Sequence, residues 1–111
     1  MAKFGGYGRV GGGGGMNMQQ MMRQAQQLQE QMAQAKEQLE EARITGRSGG
    51  GAVSVTISGT KRFISVSIKP EVVDPDDVEM LEDLIIAAAN EAYAEADELY
   101  KNSPLGSLGG L

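Results

Sequence analysis

From Asn17 onward the apolar residues fall into a series with alternating steps of three and four: Met18, Met21, Ala25, Leu28, Met32, Ala35, Leu39 and Ala42. Between them stand mostly Gln, Glu, Lys and Arg, so the pattern predicts one helix of about 25 residues with a single narrow apolar stripe. At about 1.5 Å per residue such a helix spans about 38 Å, and Asn17 is placed to cap it. Met and Ala fill space without imposing a tight jigsaw, which suits an adaptable packing surface. Core packing is the ordinary use of such a stripe.

The period then changes from helical to two. "RITGRS" is a weak, Gly-interrupted strand, while "AVSVTIS" and "KRFISVSIK" alternate cleanly, the latter stopping at Pro70. Gly49, Gly50 and Gly51 make the first connection, and Gly59 and Thr60 lie at a tight hairpin turn. Val53, Val55, Ile57, Ile64, Val66 and Ile68 supply one apolar face of an antiparallel meander. By parity the opposite face carries Arg43, Thr45 and Arg47, then Ser54, Thr56 and Ser58, then Lys61, Phe63, Ser65, Ser67 and Lys69. That face is rich in hydroxyls, holds four cations and has no carboxylate.

"DPDDVEMLEDLIIAAANEAYAEADELYKNS" announces a second long helix. Asp74 is the expected cap, Pro75 the first helical residue, and Asp77 completes something close to a capping box. Val78, Leu81, Ile85, Ala88, Ala92, Ala96 and Leu99 form one stripe, but Leu84, Ile86, Ala87 and Ala89 spread the apolar surface most of the way round. Residues 84–89 should therefore be buried on more than one side. Eight of the first fifteen residues are glycine, so 1–15 is read as a flexible arm carrying Lys3 and Arg9, 16–101 as a single dimerising domain, and 102–111 as a frayed tail.

A seven-residue strand reaches about 23 Å, well short of the first helix. An α+β subunit of long helix, three-stranded antiparallel sheet and long helix (αβββα) follows, closed by a homodimer from which the helices project.

The net charge of −5 argues weakly against a polyanionic partner, but its distribution says otherwise. Residues 1–70 hold nine of the ten Lys and Arg against four acids, a balance of +5, and residues 71–111 hold Lys101 against eleven acids, a balance of −10. Absence of Cys and His removes disulfides, thiol nucleophiles, imidazole bases and the commonest zinc ligands. Asp74, Asp76 and Asp77 are explained by capping rather than by a metal, and no cofactor is expected. The glycine runs lack the Gly-Lys-Ser/Thr ending of a nucleotide loop, and no hydroxyl has an imidazole to activate it. An enzyme is not expected, nor a small-molecule substrate. With no run of eighteen apolar residues and no signal-peptide core, a soluble cytoplasmic protein without membrane contact is the default.

Nucleic-acid binding fits better. Arg43, Arg47, Lys61, Arg62 and Lys69 cluster on or beside the strands, with Arg23 and Lys36 on the first helix. Such a set binds phosphates by charge, with little base readout and strong salt dependence. One competing arrangement stays open: if the hydroxyl face builds the dimer, its cations pair with acids of the partner's second helix. A protein-interaction module using the Met-rich first helix and the acidic second helix is the alternative function.

The segments "FGG", "MNMQQMMRQAQQLQEQM" and "TGRSGGGAVSVTISGTKRFISVSIKPEVVDPDDVEMLEDLIIAAANEA" resemble the YbaB/EbfC nucleoid-associated proteins. The resemblance implies a small cytoplasmic homodimer with helices projecting from a central sheet like the arms of tweezers. It also implies binding of double-stranded DNA at the nucleoid, with modest sequence preference and effects on DNA conformation and gene expression. Arg23 and Lys36 match basic positions of the family's helical arms, and Lys61 and Arg62 match its turn. A longer Gly-rich arm and a Gln-rich, charge-poor first helix depart from the family's pattern.

Overall fold

The structure, a computed structural model, describes residues 17–109. The arm expected over 1–15, with Lys3 and Arg9, lies outside these residues. The elements run α1 (Met18–Glu41), β1 (Arg43–Ser48), a 3₁₀ turn (Gly49–Gly51), β2 (Val53–Ser58), β3 (Phe63–Ile68), a 3₁₀ turn (Pro70–Val72), α2 (Val78–Lys101) and α3 (Pro104–Gly109). The αβββα architecture is the one the periodicities predict. The sheet is antiparallel in the order β1-β2-β3.

The chain divides into two compact units after Ala33. In the first, Asn17 caps α1 by accepting the Gln20 N–H at 2.8 Å, and every residue from Asn17 to Gln31 is exposed. The upper apolar stripe is therefore uncovered, with Met18 70% and Met21 55% exposed.

The second unit, from Gln34 onward, holds the core. Val53, Val55 and Ile57 of the central strand are fully buried beneath Ala88, Ala92 and Ala96 of α2, with Ile44 beside them. Each aliphatic side chain so buried contributes about 1.5–3 kcal/mol relative to exposure. Small residues on α2 let the helix settle low on β1. A Cβ at Gly46 would lie 2.1 Å from the Ala88 carbonyl oxygen and 2.5 Å from the Ala92 nitrogen. At the other end Ala35 and Leu39 of α1 are buried, and the Gly59 N–H donates to the Leu39 carbonyl at 2.8 Å, tying the helix terminus to the hairpin.

Two expectations change, the α2 cap and the tail. Asp77, not Asp74, caps α2, accepting the Met80 N–H. Asp74 instead takes the Asp76 N–H on its side chain and the Asp77 N–H on its carbonyl. Pro75 thus sits second in a tight turn, where its fixed φ is equally well accommodated. Of the sides expected to be covered over residues 84–89, the single chain covers the one toward the sheet, where Ala88 is buried, while Ile86 is 56% exposed. The tail read as frayed contains α3, whose start is braced by Ser103, with its hydroxyl on the Tyr100 carbonyl at 2.6 Å.

Gly46→Ala should lower unfolding stability by about 3 kcal/mol or more, because both obstacles are backbone atoms that cannot swing aside. Urea denaturation followed by circular dichroism measures it; a decrease below about 1 kcal/mol would contradict the close approach.

Candidate nucleic-acid interface

The sheet separates two chemically different faces. Ile44 and Gly46 look toward α2, whose exposed acids include Glu82, Glu95 and Glu98. The other face carries the hydroxyl ladder, in which Thr45 and Thr56 share a hydrogen bond of 3.0 Å. Ser54 pairs across the strands with Ser67, and Thr56 with Ser65. Arg43 and Arg47 border this face from β1, and Lys69 stands at the end of β3, its N–H on the Ala52 carbonyl at 2.9 Å.

The cations do not all stand equal. Arg43 extends its Nη1 to the carbonyls of Glu40 and Ala42, 3.0 Å from each. It neutralises the negative end of a helix whose last turn contains no basic residue. Arg47, Arg62 and Lys69 are exposed, and among the described residues the one ion pair is between Lys61 and Asp97 of α2. Lys36 is exposed and lines, with Leu39, Gly59, Lys61, Tyr100 and Leu105, an apolar groove of about 380 Å³. Arg23 belongs to the first unit, beside Gln20, Gln24 and Gln27.

Lys61 and Phe63 depart from the parity reading. The register slips between Thr56 and Ile57, so that Ile57 pairs with Phe63 and Ile64 is the extra residue. A bulge reverses the facing of everything beyond it. Phe63 consequently meets the α2 side, edge-on to Tyr93 with centroids 5.8 Å apart. Lys61 goes with it: its carbonyl accepts the Tyr93 hydroxyl at 3.2 Å and its ammonium lies 5.8 Å from the ring centroid.

The turn is built on Ser58, which is 1% exposed. Its hydroxyl accepts the N–H groups of Thr60 at 3.2 Å and Arg62 at 3.1 Å. The Ser58 N–H donates to the Arg62 carbonyl and the Lys61 N–H to the Ser58 carbonyl, each at 2.9 Å. This closes a three-residue loop whose last member must be left-handed, and Lys61 has φ 69°. A non-glycine residue there costs about 1–2 kcal/mol, offset by the contacts to Tyr93 and Asp97. Ser58, Tyr93 and Asp97 carry no sequence signal that marks them for this site. The four-residue spacing of Tyr93 and Asp97 puts them on one helix face, but nothing local ties that face to residue 61.

The fold thus sets a hydroxyl face bordered by cations on the side of the sheet away from α2, and no helix among the described residues is long and apolar enough to cross a membrane. The chain belongs to the YbaB/EbfC DNA-binding family, which it matches over residues 14–111. It is 52% identical over 113 residues to a nucleoid-associated protein of Agathobacter rectalis, covering all of this chain and 96% of the relative. A nucleoid-associated protein of Alkaliphilus oremlandii is 53% identical over 110 residues, covering 99% and 93% of the two chains. The crystal structure of the uncharacterized protein HP0035 from Helicobacter pylori superposes with a TM-score of 0.68 at 25% identity, covering 78% of this chain and 91% of that one.

Ser58→Ala leaves two turn N–H groups without their acceptor in a part-buried place, at a cost of about 1 kcal/mol. Amide exchange at Thr60 and Arg62 should quicken more than exchange in β2. Unchanged exchange at both would show the hydroxyl to be dispensable.

Proposed function

We propose that the chain acts as a homodimer that holds double-stranded DNA chiefly through backbone phosphates, at the nucleoid, with effects on DNA conformation. Membership in a DNA-binding family supports the partner. The observation that carries the mechanism is that Arg47, Arg62 and Lys69 stand exposed beside a face of hydroxyls, outside the one ion pair among the described residues. Guanidinium and ammonium groups supply the charge, and the Ser and Thr hydroxyls donate to phosphate oxygens without reading sequence. Lys61 contributes less than its neighbours, since a phosphate must first displace Asp97. Arg43 acts mainly as the cap of α1.

A second copy is supported by what α2 leaves open. Phe63, Ile64 and Val66 on edge strand β3 are 50%, 43% and 45% exposed, and Ile86 on α2 is 56% exposed. An apolar edge strand of this kind invites pairing or aggregation unless another chain covers it. The interaction-module reading keeps one specific support, the uncovered Met18, Met21 and Met22 of α1.

Arg47→Gln and Lys69→Gln should each weaken binding to every duplex alike. Each should also flatten the plot of log affinity against log salt by about 0.9 for every phosphate no longer neutralised, counted over both copies of a dimer. Titration by fluorescence anisotropy between about 50 and 200 mM salt reads this. Affinity indifferent to salt would favour the interaction-module reading.

Val66→Glu should raise the dimer dissociation constant by at least about tenfold, since a carboxylate then has to be desolvated in the interface. Sedimentation equilibrium measures the mass of the 11.8 kDa chain. A variant as dimeric as the parent would place the interface elsewhere.

A further inference from the structure

Gln20, Gln24, Gln27 and Gln31 recur along α1 at steps of four, three and four. They form a second stripe with the rhythm of the methionine series but on a different side of the helix. All four are exposed, and the first three gather with Arg23 around one shallow depression. A solvated helix face is ordinarily laced with Glu–Lys pairs four residues apart. Here no carboxylate occurs from Asn17 to Gln29, and the first turn lacks the acids that usually settle at the positive end of a helix. The stretch is built of neutral groups that both donate and accept, with one cation among them.

We propose that this amide ladder is a base-reading edge that enters the DNA major groove and favours adenine, giving the protein a preference for A·T-rich duplex. The inference rests on the DNA-binding reading above and adds specificity to it. A carboxamide is the side-chain group that pairs bidentately with N6 and N7 of adenine. A helix about 10–12 Å across fits a major groove about 12 Å wide. Gln20 to Gln31 rises about 17 Å, roughly five base-pair steps. A straight helix leaves the curving groove at both ends, so Gln24 and Gln27 lie deepest. Arg23, one turn from either Gln20 or Gln27, suits the phosphates of the groove wall. The acid-free stretch from Asn17 to Gln29 covers Gln20, Gln24 and Gln27, where a carboxylate would repel the backbone on both sides of the groove, and Glu30 marks its end beside Gln31. Exposed Met21 and Leu28, flanking the amides, offer apolar contact to thymine methyl groups.

The test measures binding of the full chain at one fixed salt concentration to three duplexes: A·T-rich, G·C-rich, and A·T-rich with 7-deazaadenine, which lacks the N7 acceptor. The wild type should bind the A·T-rich duplex at least about tenfold more tightly than the G·C-rich one. The deaza substitution should abolish that margin. The double variant Gln24→Ala and Gln27→Ala, in which alanine preserves helix propensity, should lose the preference while keeping its G·C affinity and salt slope. Equal wild-type affinity for both sequences overturns the proposal, as does a variant that weakens on both alike. A preference that survives 7-deazaadenine overturns major-groove reading. Absence of binding to any duplex at low salt defeats phosphate binding as well, so the two failures are told apart.

Discussion

At Gly46 the backbone of β1 lies against the backbone of α2, with room for a hydrogen and none for a methyl group. Because Ala88, Ala92 and Ala96 let the helix sink this far, its axis is fixed over β1 and β2. Two consequences follow from one contact. Edge strand β3 is left with its apolar side chains half uncovered, and the helix's later turns bring Tyr93 and Asp97 to the β2–β3 turn. A bulkier contact would lift α2, shield β3 less selectively and release the turn. The half-uncovered edge strand and the posture of Lys61 thus share a cause in steric closeness, not in any charge.

The charge asymmetry along the sequence becomes an asymmetry across the sheet within the second unit. Acids ride on α2 while Arg43, Arg47 and Lys69 border the hydroxyl face, with the buried valines and isoleucines between. The apolar layer keeps these opposite charges too far apart for the close pairing that would cancel them. Glu91 is the acid that reaches round, and it accepts the Arg47 backbone N–H at 2.9 Å rather than pairing with the guanidinium. A net charge of −5 is therefore a poor guide to the local potential at the sheet.

Long periodic stretches were legible because periodicity is what the core selects. Both long helices, three strands, the Asn17 cap and the buried alternation of Val53, Val55 and Ile57 follow from side-chain spacing alone. Facing beyond the hairpin was not legible, since a one-residue bulge at Ile64 leaves the alternation of β3 intact while rotating Phe63 and Lys61 to the other side. The α2 cap was ambiguous for a different reason: Asp74, Asp76 and Asp77 each offer a capping oxygen, and only the competing turn through Pro75 decides among them. The candidate interface was legible as a set of cations, but their inequality was not. Arg43 is committed by the helix terminus just before it, whereas Lys61 is committed by a residue 36 positions away, which leaves no local trace.

Lys61 shows how such a commitment shapes the turn. A lysine in a left-handed position is retained against glycine only if its side chain returns the strain, and here Tyr93 and Asp97 do so. The pair is 40% and 50% exposed, where solvent screening limits an ion pair to about 0–1 kcal/mol. That is a weak tether, which orients the ammonium toward Asp97 without locking it there. The turn is thus held in one shape at low cost, its ordering entropy already met by the Ser58 hydrogen bonds and the contacts to α2.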